Sequence, residues 1–274
     1  GKSIMRVGII GYGSMGKMLL EKLSLNSDLV DGKLYVANRS YEKIADLAEE
    51  YHLCQNNQEI ATLVDILFIC VRPIDMKNVL EEIKNCLRKE QIIVSLNGSI
   101  TFEQIEGICK NKIVKAIPSV MAEINKSQTL ICCNGLVNEQ DKANIKDLLY
   151  SIGSVIELPE SEMGMGSELV SCMPGFIAAI FNEICISAQK HTSIATKEVV
   201  QMVLNTMIGT GQLMIENNCS YQDVITRVAT KGGITEEGVK VIQESFPQVS
   251  DAIFDKTLEK RRQTTLNSQK AFKE

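Results

Sequence analysis

The sequence predicts a doubly wound α/β domain followed by an all-helical one, and three observations carry that expectation. Over the first 160 residues, short apolar runs rich in β-branched residues alternate with stretches long enough for crossover helices. That is the pattern of parallel strands buried on both faces. After Pro159 these runs stop and long helical stretches take over. At 274 residues the chain is also long for one domain, so two are expected, 1–160 and 161–274, with the boundary near Pro159 to Ser161.

Strands are expected at Arg6 to Ile10, Leu34 to Ala37, Ile66 to Val71, Ile92 to Leu96, Ile113 to Ile117, Thr129 to Cys132 and Ser154 to Leu158. Cys132 and Cys133 are neighbours there, so their side chains should point to opposite faces. Helices are expected at Ser167 to His191, Ala195 to Asn217, Glu236 to Ser245 and Val249 to Lys273. The segment "LVSCMPGFIAAIF" is apolar nearly all the way round. Such a helix must be covered on every side, in part by a second subunit.

Composition narrows the function classes. A net charge of -5 without a basic run gives no footprint for nucleic acid or an anionic bilayer. The expected partner is a small molecule or another protein. Nine cysteines are scattered without a C-x-x-C pair or a nearby histidine cluster, so neither a disulfide framework nor a metal site is expected. Free thiols fit the reducing cytoplasm, which is the expected location, and no secretory leader is expected. The charge-free stretch Leu169 to Phe181 reads as too short for a bilayer and contains Pro174, so no membrane span is expected.

The chemistry begins at "GIIGYGSMG", residues 8–16. Gly11, Gly13 and Gly16 fit G-x-G-x-x-G, a strand runs into them, and "MGKMLLEKL" reads as a helix leading out. In that context the glycines are a dinucleotide-binding fingerprint of the Rossmann type, with Ser14 and Met15 at the helix start. Gly11 permits the turn, Gly13 lets backbone approach a pyrophosphate, and Gly16 lets helix and strand close up. An NAD-preferring fold would place Asp or Glu after the second strand. Here Asn38, Arg39 and Ser40 stand there, a set suited to a 2′-phosphate, and the expected cofactor is NADP(H).

Proton carriers are scarce. The two histidines, His52 and His191, do not follow a sheet strand where a hydroxy-acid dehydrogenase needs its base. Leu169 to Ile186 holds no lysine, which disfavours the β-hydroxyacid dehydrogenase pattern. A cyclic imine needs no strong protein base, because once protonated its iminium carbon is already electrophilic. The protein then need only position it.

With these pieces in order, the chain resembles the pyrroline-5-carboxylate reductase family over nearly its whole length. The matching motifs are "GIIGYGSMG", "ANRS", Asn57 at the family's N-x-E position, Val71, Arg72 and Pro73 for V-K-P, the proline of "AIPS", "MPGF" for G-P-A-F, and "TKGGITEEG" for S-P-G-G-T-T-x-x-G. The resemblance implies a Rossmann domain, a helical C-terminal dimerisation domain, and NAD(P)H-dependent reduction of 1-pyrroline-5-carboxylate to proline by a homodimer or a larger assembly of dimers. It also assigns Asn57, Val71, Arg72 and Pro73 to the cofactor, and Thr230 and Thr235 to the substrate, with Thr235 as the residue that hydrogen-bonds it.

Departures gather at the family's substrate motifs. M-P-N-T-P reads Ile117 to Met121, A-A-G-I reads Asn97 to Ile100, G-S-G-P reads Ser171 to Pro174, and the proline of S-P-G-G is Lys231. These features are similar to the divergent late-competence branch of the family. In the substrate loop, Lys231, Gly232 and Gly233 precede a helix beginning near Thr235. Free backbone N–H groups and a hydroxyl there would receive a substrate carboxylate. The bland alternative makes Thr235 an ordinary helix cap. Two other functions stay open beside the reductase: a nucleotide-binding regulatory protein of the same fold, and a reductase of another cyclic imine.

Overall fold

The computed structural model describes residues 4–26 and 28–273. They form two compact units, Gly1–Cys172 with Leu258–Glu274, and Met173–Thr257.

The first unit is an eight-stranded sheet: β1 (Val7–Ile10), β2 (Tyr35–Ala37), β3 (His52–Leu53), β4 (Ile66–Ile69), β5 (Ile92–Ser95), β6 (Lys112–Ile117), β7 (Ser127–Cys133) and β8 (Gly153–Glu157). Their spatial order is β3-β2-β1-β4-β5-β6-β7-β8. All neighbours run parallel except β6 and β7, which are antiparallel. Alternate residues feed two different cores. Val7, Ile9, Ile66 and Phe68 join Leu19 and Leu20 of α1 (Ser14–Leu23) and Leu148 of α5 (Glu139–Leu149). Ile10, Leu67 and Ile69 join Ile60 of α2 (Asn57–Leu63), Leu80 of α3 (Pro73–Ile83) and Ile105 of α4 (Phe102–Glu106). With both faces covered, every position of β1, β4 and β5 is buried, which explains their unbroken apolar runs. Cys132 lies in a third small cluster with Leu130 and Met163, and Cys133 packs on the first, so the two thiols do face opposite ways.

The chain is helical from Glu160 to Gln189. It passes through α6 (Met163–Ser167), a π turn at Glu168–Cys172, and α7 (Met173–Gln189). The helix therefore starts earlier than expected. Gly164 and Gly166 look like breakers, but a Cβ on Gly164 would crowd the Arg261 side chain at 3.2 Å, and one on Gly166 would fall 2.6 Å from Leu158 and 2.9 Å from Leu130. At this length and composition the helix meets the dimensions of a membrane span, which corrects the inference drawn from Leu169 to Phe181 alone. The core helix of a water-soluble protein meets the same criteria.

The second unit holds α7, α8 (Thr196–Glu216), α9 (Tyr221–Val228) and the start of α10 (Ile234–Lys273). Two expected helices are one: α10 runs unbroken through Pro247. Pro247 and Gln243, whose carbonyl loses its amide partner, both lie at exposed positions. The last turns of α10 belong to the first unit, where Phe272 is buried in the second core. The two compact units meet along the chain at Cys172 and at Thr257.

Candidate active site

The glycine turn is built by close approach. Gly11 has φ +105°, and a Cβ there would fall 2.4 Å from the Cys70 carbonyl oxygen. A Cβ on Gly16 would fall 2.0 Å from the Gly11 oxygen. Gly13 differs: nothing lies within 4 Å of where its Cβ would point. It precedes α1 as the N-cap and supplies no side-chain cap, so the first amides of the helix face an open cradle. Those features fit the pyrophosphate of a dinucleotide, with Ser14 and Met15 in the first turn.

Asn38 ties the cradle to the loop after β2. Its Oδ1 accepts from the Tyr12 amide at 3.0 Å, and its Nδ2 donates to the Ser40 carbonyl at 3.0 Å. Arg39 stays 83% exposed, with Nη1 3.6 Å from Asp75. Val71, Arg72 and Pro73 follow β4: Arg72 caps α3, Pro73 opens it, and the Val71 carbonyl accepts from Asn97 Nδ2 at 3.1 Å. The structure thus brings together the glycines, Asn38 to Ser40 and Val71 to Pro73. Asn57 opens α2, where its amide donates to Glu82 at 2.9 Å; the α2 cap is Asn56.

The expected substrate loop lies in the other unit, and here the structure corrects one expectation and removes the bland alternative. The amides of Gly232 and Gly233 are not free. Gly232 donates to Glu236 Oε2 at 3.1 Å and Gly233 to the Thr230 carbonyl at 2.9 Å. The reason is local: Gly232 at φ +75° folds the loop back on the helix start. Thr235 is not a cap, because α10 begins at Ile234 and Thr235 sits inside its first turn. Glu236 also pairs with Lys240 at 3.2 Å, while Lys231 is exposed.

Sequence reasoning missed two buried charged groups. Lys115 is 2% exposed, donates to Glu160 at 3.1 Å, and lies 5.6 Å from the centre of the Phe102 ring. A lone lysine inside the apolar run "IVKAI" is the one signal that pointed to it. At the π turn, Glu168 is fully buried against Arg261, and Cys172 Sγ lies 3.4 Å from the same carboxylate. Burial, then Glu168, push the Cys172 thiol up against the pull of Arg261. Burial also pushes Cys54 up to about 12 and Cys132 up to about 11.

Known proteins match this arrangement over both halves. Residues 160–264 match the family model for pyrroline-5-carboxylate reductase dimerisation, and residues 6–98 the one described as NADP oxidoreductase coenzyme F420-dependent. Pyrroline-5-carboxylate reductase 3 of Bacillus subtilis (strain 168) is 31% identical over 258 residues, covering 93% of this chain and 95% of that protein. The chain belongs to the pyrroline-5-carboxylate reductase family. ComE operon protein 4 of the same organism, a divergent branch of that family, is 25% identical over 92% of this chain and 94% of its own length. The solved 1-pyrroline-5-carboxylate reductase of Streptococcus pyogenes shares the fold with a TM-score of 0.83 and 21% identity, covering 95% of this chain and 99% of its own. The Plasmodium falciparum pyrroline carboxylate reductase, solved with NADP bound, gives a TM-score of 0.80 at 20% identity, covering 99% and 100%.

Proposed function

We propose that this chain is an NADPH-dependent reductase that converts 1-pyrroline-5-carboxylate to L-proline as a homodimer in the cytoplasm. The observation that carries the reading is the open glycine cradle at Gly13, joined through Asn38 to a loop bearing Arg39 and no acidic residue. It lies in a chain whose similarity to reductases runs through both halves.

When bound, NADPH supplies a hydride to the imine carbon of the substrate. The chain's own residues hold and orient. Backbone amides at Gly13 and the start of α1 receive the pyrophosphate, and Arg39 the 2′-phosphate. Asn57 and Val71 to Pro73 complete the cofactor set. The Thr235 hydroxyl donates to the substrate carboxylate, flanked by Thr230 and Lys231. Amides of the first turn of α10 have no intrahelical acceptor and serve the same anion. Gly232 and Gly233 join only once Glu236 and Thr230 release them. No protein base is required, because the ring nitrogen takes its proton before reduction.

A homodimer covers the apolar groove between α7 and α8, where Phe181 and Ile184 face Met202 and Met207. A larger assembly of dimers is compatible with the same face.

The variant series at Thr235 tests the site. Thr235→Ala is expected to lower kcat/KM by about tenfold or more, as loss of a hydrogen bond to a charged group at about 1.5–3 kcal/mol requires. Thr235→Ser should retain activity, and NADPH affinity should not change in either. A Thr235→Ala enzyme with full activity removes Thr235 from the site.

The occupied glycine amides and the likeness to ComE operon protein 4 favour a second reading, a regulatory protein of the same fold that binds NADPH without turnover.

A further inference from the structure

Asp75 sits in the first turn of α3, and its two carboxylate oxygens serve two different arginines. Oδ2 accepts from Arg72 Nε at 3.2 Å, and Oδ1 lies 3.6 Å from Arg39 Nη1. Arg39 follows β2 and Arg72 follows β4, the two strands that flank β1 in the sheet. A single carboxylate therefore bridges the loops on either side of the glycine turn. Asp75 is 26% exposed, while Arg39 and Arg72 are 83% and 72% exposed, so both guanidinium groups keep free N–H edges toward water. In a sheet of this order, the loop after β2 is where the adenosine ribose is read.

We propose that Asp75 is a built-in competitor of the NADPH 2′-phosphate, and that its charge sets how strongly the protein prefers NADPH over NADH. The inference rests on the NADPH reading given above. Asp75 holds Arg39 and Arg72 as a phosphate would, through charge-assisted contacts to separate oxygens. An arriving 2′-phosphate must share or replace those contacts and meets the repulsion of Asp75 at short range. NADH carries no charge at that position and meets neither the attraction nor the repulsion. Asp75 also offsets the positive N-terminal end of α3, which would otherwise favour the phosphate. Exposed ion pairs contribute little to stability, so the bridge opens readily.

The test is calorimetric titration of wild type and Asp75→Asn with NADPH, NADH, adenosine 2′,5′-bisphosphate and AMP. Asp75→Asn should tighten NADPH and the bisphosphate by about fivefold, the size of one unit-charge repulsion at close range in water. NADH and AMP should stay within about twofold, and the gain should shrink in about 0.5 M salt. Adding Arg39→Ala to Asp75→Asn should abolish the gain. A wild type that prefers the bisphosphate over AMP, with a preference unmoved or reduced by Asp75→Asn, overturns the inference alone. A wild type that binds bisphosphate and AMP equally overturns the NADPH reading, and this inference with it.

Discussion

The two compact units use the same kind of apolar side chain in opposite ways. In the first, strand residues such as Val7, Ile9 and Phe68 are fully buried, and both faces of the sheet are sealed by the unit's own helices. In the second, Val199 is the only buried side chain among the described residues, and no residue of α7 is buried. Met202, Ile208, Ile215 and Val241 are all more than half exposed there. A sheet covered on both faces finishes its own core, whereas a few helices with apolar faces all round need a further surface. Residues 160–264, which match the dimerisation model, are the region where that surface is missing from the single chain.

The sharpest way to break this contrast is a charge placed in the groove of the helical unit. Met202→Asp should raise the dimer dissociation constant by about a hundredfold, close to 3 kcal/mol, since an unpaired charge would be buried on association. Sedimentation or light scattering across a concentration series reads this directly. An unchanged assembly would mean that the groove between α7 and α8 stays open to water.

In the self-sufficient unit the comparable change is local. Arg39→Ala should weaken NADPH by about 1.5–3 kcal/mol and leave both NADH and the assembly unaltered. Equal losses for the two nucleotides would remove Arg39 from the 2′-phosphate.

The smallest effect concerns the edge of the sheet. Glu157 bonds Lys142 at 2.8 Å and lies 3.4 Å from Lys146, and the bond to Lys142 is the main cause that holds its carboxyl below the ordinary value. A lowered folded-state value contributes stability above the unfolded-state value, lost as pH falls through the folded one. Glu157→Gln should therefore cost less than about 1 kcal/mol at neutral pH, because the pair is partly exposed. In thermal unfolding the deficit should vanish once the pH drops below the folded-state value. A deficit that persists in acid would assign the effect to packing.

The same contrast explains what could be read from sequence. Continuous runs such as "VGII" and "ILFI" announce strands because both faces are buried, and the glycine spacing announces its turn because Gly11 and Gly16 tolerate no Cβ. β3 escaped notice because two residues carry no periodicity; His52 there stacks on Tyr35, with ring centres 4.6 Å apart. Helix α9 was not expected either: Ser220 and Asp223 form a capping box, but the helix buries no residue and gave no core signal. Pro247 masked the continuity of α10, and the pairing of Glu168 with Arg261 spans 93 residues that no local pattern connects. At the substrate loop the residue types were legible, but the commitment of the Gly232 and Gly233 amides was not, because it depends on how the loop folds back.

The most direct test of the account is NADPH oxidation by the purified protein, with 1-pyrroline-5-carboxylate and with the six-membered imine acid as alternative acceptors. The account predicts saturable oxidation with the five-membered substrate, L-proline as product, and slower turnover of the larger ring. Protein that binds NADPH but reduces neither imine would contradict this reading and favour the regulatory one.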